Sequence, residues 1–339
     1  MSNESAGVAL VTGATSGLGL RLCRKLAQRG YGVRAIVNPR HQGPDIASAL
    51  PKAVMQYRAD LTLPGSGDER ALREACDGAA LVFHAAGATF NHRFTRDQFM
   101  DINVHGTENL MRALAESSAA SGREARLVYT SSVTVYGYKR PGEVITEGSK
   151  TDPRSDYSKS KLMAEGVVKS YSVRYSRLCY TILRLGTIYG PGYESSFFKV
   201  FRMIKEGRMR YVGKPTNHLT LVHVDDAAGA EIAAAESAAA RNRVYNMTDG
   251  QAHTERELFE LAASRLGVEP PEKAVNPKIA RAMGPITGVN SDELDFLASD
   301  RVVDASLISR EVGFAASRRI DVEGEAMLKE FIGANKSVN

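Results

Sequence analysis

Val8-Ala9-Leu10-Val11-Thr12-Gly13-Ala14-Thr15-Ser16-Gly17-Leu18-Gly19 decides the fold. Val8 to Val11 is an apolar run of the length of a buried strand. After it Leu18, Leu22 and Leu26 recur every four residues, while Arg21, Arg24, Lys25 and Arg29 take the other face. That spacing predicts a helix, stopped by Gly30. The turn between them is rich in glycine, so its backbone can bend sharply and approach a pyrophosphate. The helix N-terminus then offers free N–H groups and a partial positive charge. A glycine-rich string alone is equally an ordinary tight turn. With a strand before it and a helix after it, at the first strand–helix junction, it reads as a dinucleotide site. Its candidate cofactor contacts are Gly13, Thr15, Ser16, Gly17, Leu18 and Gly19.

Outward from this turn the pattern repeats. Val33–Val37, Val54–Ala59, Leu81–Phe83, Leu127–Tyr129 and Thr181–Leu183 read as strands, with helical patterns around Ile102–Glu116 and Ser158–Tyr175. Such alternation predicts an α/β fold, a Rossmann-type doubly wound parallel sheet with right-handed crossovers. The second half changes character. Phe197–Lys205 reads as a helix, Leu219–Val224 as a strand with Asp225 or Asp226 capping an alanine-rich helix, and Val244–Met247 as a last strand. Thr254-Glu255-Arg256-Glu257 is a capping box ahead of Leu258 and Phe259. Breaks at 190–192, 213–215 and 267–277 suggest that the chain leaves the sheet, returns and leaves again. We therefore expect residues 1–184 and 217–249 to form the dinucleotide-binding domain. Residues 185–216 and 250–335 are expected to form a smaller, mostly helical substrate-binding domain.

The bulk composition narrows the class. The net charge is +5, but the basic residues are scattered singly, so no nucleic-acid partner is expected. Cys23, Cys76 and Cys179 are too few and too widely spaced for a disulfide framework, which fits a reducing compartment. The polar Met1–Gly7 leaves no room for a signal peptide, and no apolar run approaches the ~18 residues of a membrane span. A cytoplasmic protein with no membrane partner is the expectation. The seven histidines lack ligand spacing, so no metal is expected.

Tyr157-Ser158-Lys159-Ser160-Lys161 opens a helix, which sets residues 157 and 161 one turn apart on one face. A free tyrosine has a pKa of ~10, and a nearby ammonium favours the phenolate. The pair is thus a candidate proton relay for carbonyl and alcohol chemistry. Upstream, Tyr129-Thr130-Ser131-Ser132-Val133-Thr134-Val135-Tyr136-Gly137 leaves a strand at the end that faces the ligand crevice of open α/β sheets. Ser132 is the candidate catalytic hydroxyl, with Ser131 its rival.

At these residues the sequence resembles the extended branch of the short-chain dehydrogenase/reductase family, also called the NAD-dependent epimerase/dehydratase family. The resemblance spans nearly the whole chain. It implies a catalytic Ser132, Tyr157 and Lys161, with Asn103, in Asn-Val-His-Gly-Thr-Glu-Asn-Leu, serving structure or proton relay. It implies cofactor contacts from Ala85, Ala86 and Gly87, from Thr130, and from Leu185, Thr187 and Ile188 in the stretch Leu183–Gly192. His223-Val224-Asp225-Asp226 resembles the family's return strand, and Asp304–Phe314 its late C-terminal motif. The chain departs from the pattern in having Ser16 where the extended branch more often has glycine, and Leu185 where proline is common. His84 and His223 read as structural histidines.

The end of the second strand carries no acid. Asn38 and Arg40 stand where a carboxylate would hold a ribose 2′-hydroxyl, which favours NADP and leaves NAD possible. Asp60 could accept from the adenine amino group or cap a turn, and Leu61 after it is a further candidate cofactor contact. Val133-Thr134 replace the Asp-Glu pair of the family's sugar dehydratases, so that reaction is rejected. Lys214–Thr220 lacks the Arg-Asp-Phe string of sugar-nucleotide epimerases, although Lys199, Arg202, Lys205, Arg208 and Arg210 could neutralise a diphosphate. The expected activity is an NAD(P)-dependent reductase or dehydrogenase acting on a small molecule, with a nucleotide-sugar epimerase as the alternative. A sensor that binds NADP without turnover is the third reading, and a homodimer is the expected assembly.

Overall fold

The computed structural model describes residues 6–40, 49–62, 67–89, 94–137, 142–280, 282 and 299–336. Most of the Met1–Gly7 stretch lies outside the described residues. The strands are β1 (Val8–Thr12), β2 (Gly32–Val37), β3 (Met55–Arg58), β4 (Leu81–His84), β5 (Ala125–Ser132), β6 (Val144–Ile145), β7 (Leu178–Leu185), β8 (Thr187–Tyr189), β9 (Tyr211–Val212), β10 (His218–Leu219), β11 (Leu221–His223), β12 (Arg243–Met247), β13 (His253–Thr254), β14 (Ala274–Val275) and β15 (Val302–Val303). The helices are α1 (Gly17–Gln28), α2 (Gly67–Cys76), α3 (Arg96–Met100), α4 (Gly106–Ser121), α5 (Asp156–Arg174), α6 (Glu194–Lys205), α7 (Val224–Glu236), α8 (Glu255–Leu266), α9 (Ser306–Val312) and α10 (Ile320–Lys336).

Seven strands form one sheet in the order β12-β7-β5-β4-β1-β2-β3. Every pairing in it is parallel. The order reverses between β1 and β4, and ligands of such sheets bind in the crevice outside the carboxyl ends there. Side chains alternate across β1. Ala9 and Val11 face a core built with Leu18, Leu22 and Leu26 of α1 and the alanines of α7. Leu10 faces the opposite core, with Leu72 of α2, Leu110 of α4, and Ala164 and Val168 of α5. Burying each such leucine stabilises the fold by ~1.5–3 kcal/mol. The four-residue spacing of the leucines thus becomes one face of α1 packed on the sheet.

The later half builds a separate cluster. Phe201 of α6, Tyr211, Phe259 of α8, and Met327 and Phe331 of α10 pack together, Tyr211 stacked on Phe259 at 5.5 Å between ring centroids. Two details differ from expectation. The strand expected over Leu219–Val224 is divided at Thr220, because the Thr220 carbonyl turns to accept from Thr187 N while its hydroxyl donates to Arg301 O. The cap of α7 is His223, whose Nδ1 accepts from Asp225 N, rather than Asp225 or Asp226. Asp226 instead accepts from the backbone N–H groups of Ser317 and Arg318, fixing the chain ahead of α10.

Candidate functional site

The turn after β1 is held by its own side chains. Ser16 caps α1, accepting from Gly19 N at 3.1 Å, and its hydroxyl donates to Gly13 O at 2.8 Å. Gly13 has φ +67°, and a Cβ there would lie 2.6 Å from Ala86 N. A Cβ on Gly19 would lie 2.1 Å from Gly13 O. These glycines are required because helix, turn and the Ala85–Ala86 segment close on one another. Gly13 and Gly19 leave backbone rather than side chains along this turn, a cradle that fits a dinucleotide's phosphates. Tyr193, just ahead of α6, lies against Gly17, and Leu18 N donates to its hydroxyl. No motif signals this contact, since Tyr193 reaches α1 only through the fold.

Beside the cradle, a chain of hydrogen bonds fixes the loop after β4. Thr107 donates to Asn103 O at 2.6 Å, so it must accept from His84 Nε2 at 2.9 Å. His84 Nδ1 then accepts from Thr12 at 2.7 Å, and Thr12 accepts from Ala86 N at 3.2 Å. This assigns His84 as neutral with its proton on Nε2. Burial agrees, holding its pKa down at about 3. Asn103 is buried, accepts from Ala88 N at 2.8 Å and donates to Ser160 Oγ at 2.9 Å. It ties that loop to α5. Gly87 sits beside it, where a Cβ would lie 2.9 Å from Asn103 Oδ1 and 3.7 Å from Lys161 Nζ.

β5 and α5 bring the three candidate catalytic residues together. Ser155 caps α5, accepting from Ser158 N, and so starts the helix at the turn that carries Tyr157. Phe99, Phe94 and Ala88 enclose the Tyr157 ring. Its hydroxyl is hydrogen-bonded to Ser132, which also receives Thr134 N at 3.2 Å and Thr134 Oγ1 at 3.0 Å. Strand alternation separates the two serines. Ser131 points the other way and donates to buried Glu165 at 2.7 Å. Lys161 Nζ donates to the carbonyl of Thr130 and lies 4.4 Å above the Tyr129 ring.

The electrostatics depart from the expected pairing. Burial pushes the Tyr157 phenol up to about 12, opposed by the Ser132 hydrogen bond. Lys161 does not lower it here, because its ammonium is directed to Thr130 and Tyr129. Burial in turn brings Lys161 down to about 8, opposed by the carboxylates of Glu165 and Glu231. Neither acid was legible as a partner in the sequence. Glu165 forms a buried bidentate pair with Arg184, at 2.9 and 2.7 Å. Glu231 of α7 accepts from Thr130 Oγ1 at 2.6 Å.

The remaining candidates lie around the same crevice. Leu185 ends β7, and Thr187 and Ile188 lie in β8, which pairs with β11. Leu61 is buried and its carbonyl accepts from Asn109. Asn38 and Arg40 follow β2, with Arg40 N donating to Asn38 Oδ1 at 2.8 Å. Arg40 Nε lies 3.0 Å from Asp60 Oδ2, and Thr62 donates twice to Asp60 Oδ1. Arg40 and Asp60 therefore engage each other in this structure. Among the described residues no cluster of His, Cys, Asp and Glu side chains is grouped to hold a metal, and no helix is long and apolar enough to cross a membrane.

The profile of the NAD dependent epimerase/dehydratase family matches residues 9–248. A 2-alkyl-3-oxoalkanoate reductase of Stenotrophomonas maltophilia (strain K279a) is 30% identical over 286 residues, covering 82% of this chain and 81% of the relative. A short-chain dehydrogenase/reductase family 42E member 1 of Danio rerio is 30% identical over 283 residues, covering 76% of this chain and 67% of the relative. Among solved structures, a Thermus thermophilus UDP-glucose 4-epimerase in complex with NAD superposes with a TM-score of 0.75 at 24% identity, covering 96% of this chain and 99% of that one.

Proposed function

The chain belongs to the NAD dependent epimerase/dehydratase family, an extended branch of the short-chain dehydrogenases/reductases, and on that premise we propose that it is a nicotinamide-dependent oxidoreductase of a small carbonyl or hydroxyl compound. The observation that carries this reading is the buried Tyr157 phenol, hydrogen-bonded to Ser132 at the carboxyl end of β5, with Lys161 anchored one helical turn away.

Each residue then has a defined task. Gly13 and Gly19 let the turn close tightly enough to present the N-terminus of α1 to the cofactor's pyrophosphate, with Thr15, Ser16, Gly17 and Leu18 contributing to the same turn. Ala85, Ala86, Gly87, Leu185, Thr187 and Ile188 line the crevice in which the dinucleotide would lie. The bound nicotinamide supplies hydride exchange at its C4 and, when oxidised, a positive charge beside the phenol. Ser132 orients the substrate oxygen. Tyr157 gives or takes that oxygen's proton, and Lys161 holds the cofactor ribose. Burial keeps the Tyr157 phenol protonated in the free protein, the state from which it can give a proton to a substrate carbonyl oxygen.

NADP is the favoured cofactor. Asn38 and Arg40 offer donors where an acid would repel a 2′-phosphate. The Arg40 side chain is 65% exposed and within reach of a phosphate, which would compete with Asp60 for it. The substrate class follows the reductase named above, a carbonyl compound with apolar substituents. Epimerisation of a nucleotide sugar is the second reading, favoured by the basic residues Lys199, Arg202 and Lys205 on α6. Arg208 and Arg210 support it less. Arg208 lies 2.8 Å from Glu206, and Arg210 donates to Gly207 O and Met209 O.

The test is to denature the purified protein and identify the dinucleotide released, then to follow NADPH and NADH oxidation with a panel of 3-oxo acids and ketones. Consumption of NADPH with stoichiometric alcohol is the expected result. Tightly retained NAD, with UDP-sugar interconversion and no net oxidation, would replace it with the epimerase reading.

A further inference from the structure

Glu231 belongs to no motif of the sequence, yet it lies under the site. It is fully buried in α7, among Ala227, Ala228, Ala230, Ile232, Ala234 and Ala235. Its Oε1 accepts from Thr130 Oγ1 at 2.6 Å, while Oε2 is buried with no hydrogen-bond partner among the described residues. The carbonyl of the same Thr130 accepts from Lys161 Nζ. Residue 130 is thus held from two sides, its hydroxyl by a carboxyl from α7 and its carbonyl by an ammonium from α5.

Two acids neighbour Lys161, and they differ in kind. Both oxygens of Glu165 are taken by Arg184, and Ser131 and Lys169 add to them. That charge is already balanced. Among the described residues the cation that acts on Glu231 is Lys161. A carboxyl with one bare oxygen in an apolar setting lowers stability. An apolar residue would suit the alanine-rich face of α7 better, so the packing of the helix does not explain the acid.

We propose that Glu231 is a positioning residue for Lys161. It fixes Thr130 as the acceptor of the ammonium and keeps Lys161 protonated through the pH range in which Ser132 and Tyr157 work. The catalytic consequence rests on the oxidoreductase reading; the hold on the Lys161 proton does not. Burial raises Glu231 to about 7 and lowers Lys161 to about 8, so each stabilises the other's charge where both titrate.

The groups facing this pair do not replace Glu231. From β4 comes neutral His84, from β5 Tyr129, and from α5 Tyr157 together with the balanced Glu165. β7 contributes Arg184, bound to Glu165, and the segment before α6 contributes Tyr193. On the α1 side Arg21 lies 3.6 Å from Asp225, which also neighbours His223.

The experiment reads Lys161 directly. Wild type, Glu231→Gln and Glu231→Leu are labelled with ¹³C at the lysine ε carbon, and the Lys161 signal is identified by its loss in Lys161→Met. Its NMR titration midpoint is expected to fall by about one unit or more in both variants. The alkaline limb of kcat/KM should move down with it, while the acid-range rate is kept. Thermal stability should be unchanged or higher in Glu231→Leu. An unmoved midpoint in whichever variant folds overturns the proposal, as does an equal loss of rate at every pH. If no substrate is turned over, the oxidoreductase reading fails, and the NMR midpoint still decides the role of Glu231.

Discussion

The phenol of Tyr157 is hydrogen-bonded to the hydroxyl of Ser132, across the end of β5 and the first turn of α5. Ser132 receives two bonds from Thr134, so its own proton is directed toward the phenol or a substrate oxygen. Ser132→Ala should remove both the alignment of the carbonyl and the one bond that opposes the upward shift of Tyr157. A fall in kcat of about 10²–10³-fold is expected, the scale of a lost oxyanion donor. Ser131→Ala should not mimic it in kcat. Steady-state rates of the two variants make the comparison, and equal losses would contradict the assignment.

Cofactor choice turns on the pair Arg40–Asp60. Asn38→Asp puts a negative charge beside the expected 2′-phosphate and gives Arg40 a second acid to hold. One charge-assisted bond is worth ~1.5–3 kcal/mol, so the NADPH dissociation constant should weaken about ten- to a hundredfold. NADH binding should hold or improve. Fluorescence titration with both dinucleotides checks this, and a wild-type preference for NADH would restore NAD as the working cofactor.

The turn has no room for a side chain at Gly19. A Cβ on Gly19 would lie 2.1 Å from Gly13 O, backbone that cannot swing aside. Gly19→Ala should lower the melting temperature and abolish cofactor binding. Gly166→Ala, in the interior of α5 where a Cβ meets nothing within 4 Å, serves as the control: cofactor binding should be unchanged and the melting temperature held or slightly raised. Calorimetry and equilibrium binding on both variants suffice.

His84 makes folding acid-sensitive. The folded imidazole is held down at about 3, whereas the unfolded one protonates near ~6.5, so the unfolded chain takes up the proton first. Its contribution is complete above about pH 6.5 and is lost as the pH falls toward 3. Within that window wild type should lose ~1.4 kcal/mol per pH unit more than His84→Asn. Urea midpoints measured from neutral pH down to about pH 4 read the difference, and parallel curves would remove His84 as the cause.

Much of this was legible in the sequence because it is local. The leucines of α1, the glycines before it and the one-turn spacing of Tyr157 and Lys161 all act within a few residues. The strand alternation that separates Ser131 from Ser132 is local too, but which serine faces the crevice depends on the register of β5 with β7. What escaped is carried by contacts distant in sequence. Glu231 reaches Thr130 across 101 positions, and Arg40 meets Asp60 only because β2 and β3 are adjacent. Tyr193 reaches Leu18 only when α6 is in place. The cap of α7 differs from expectation because histidine is an uncommon cap, and Asp226 is drawn away by residues 317 and 318.

The central claim is that Tyr157 moves the substrate's proton. Tyr157→Phe removes only that hydroxyl from a ring already enclosed by Phe99 and Phe94. The measurement is the rate of NADPH-dependent carbonyl reduction by wild type and Tyr157→Phe, with the NADPH dissociation constant of each determined in parallel. The account predicts a loss of ~10²–10⁴-fold in kcat with nearly unchanged NADPH affinity. A variant that keeps more than about a tenth of the wild-type rate would contradict general acid catalysis by Tyr157.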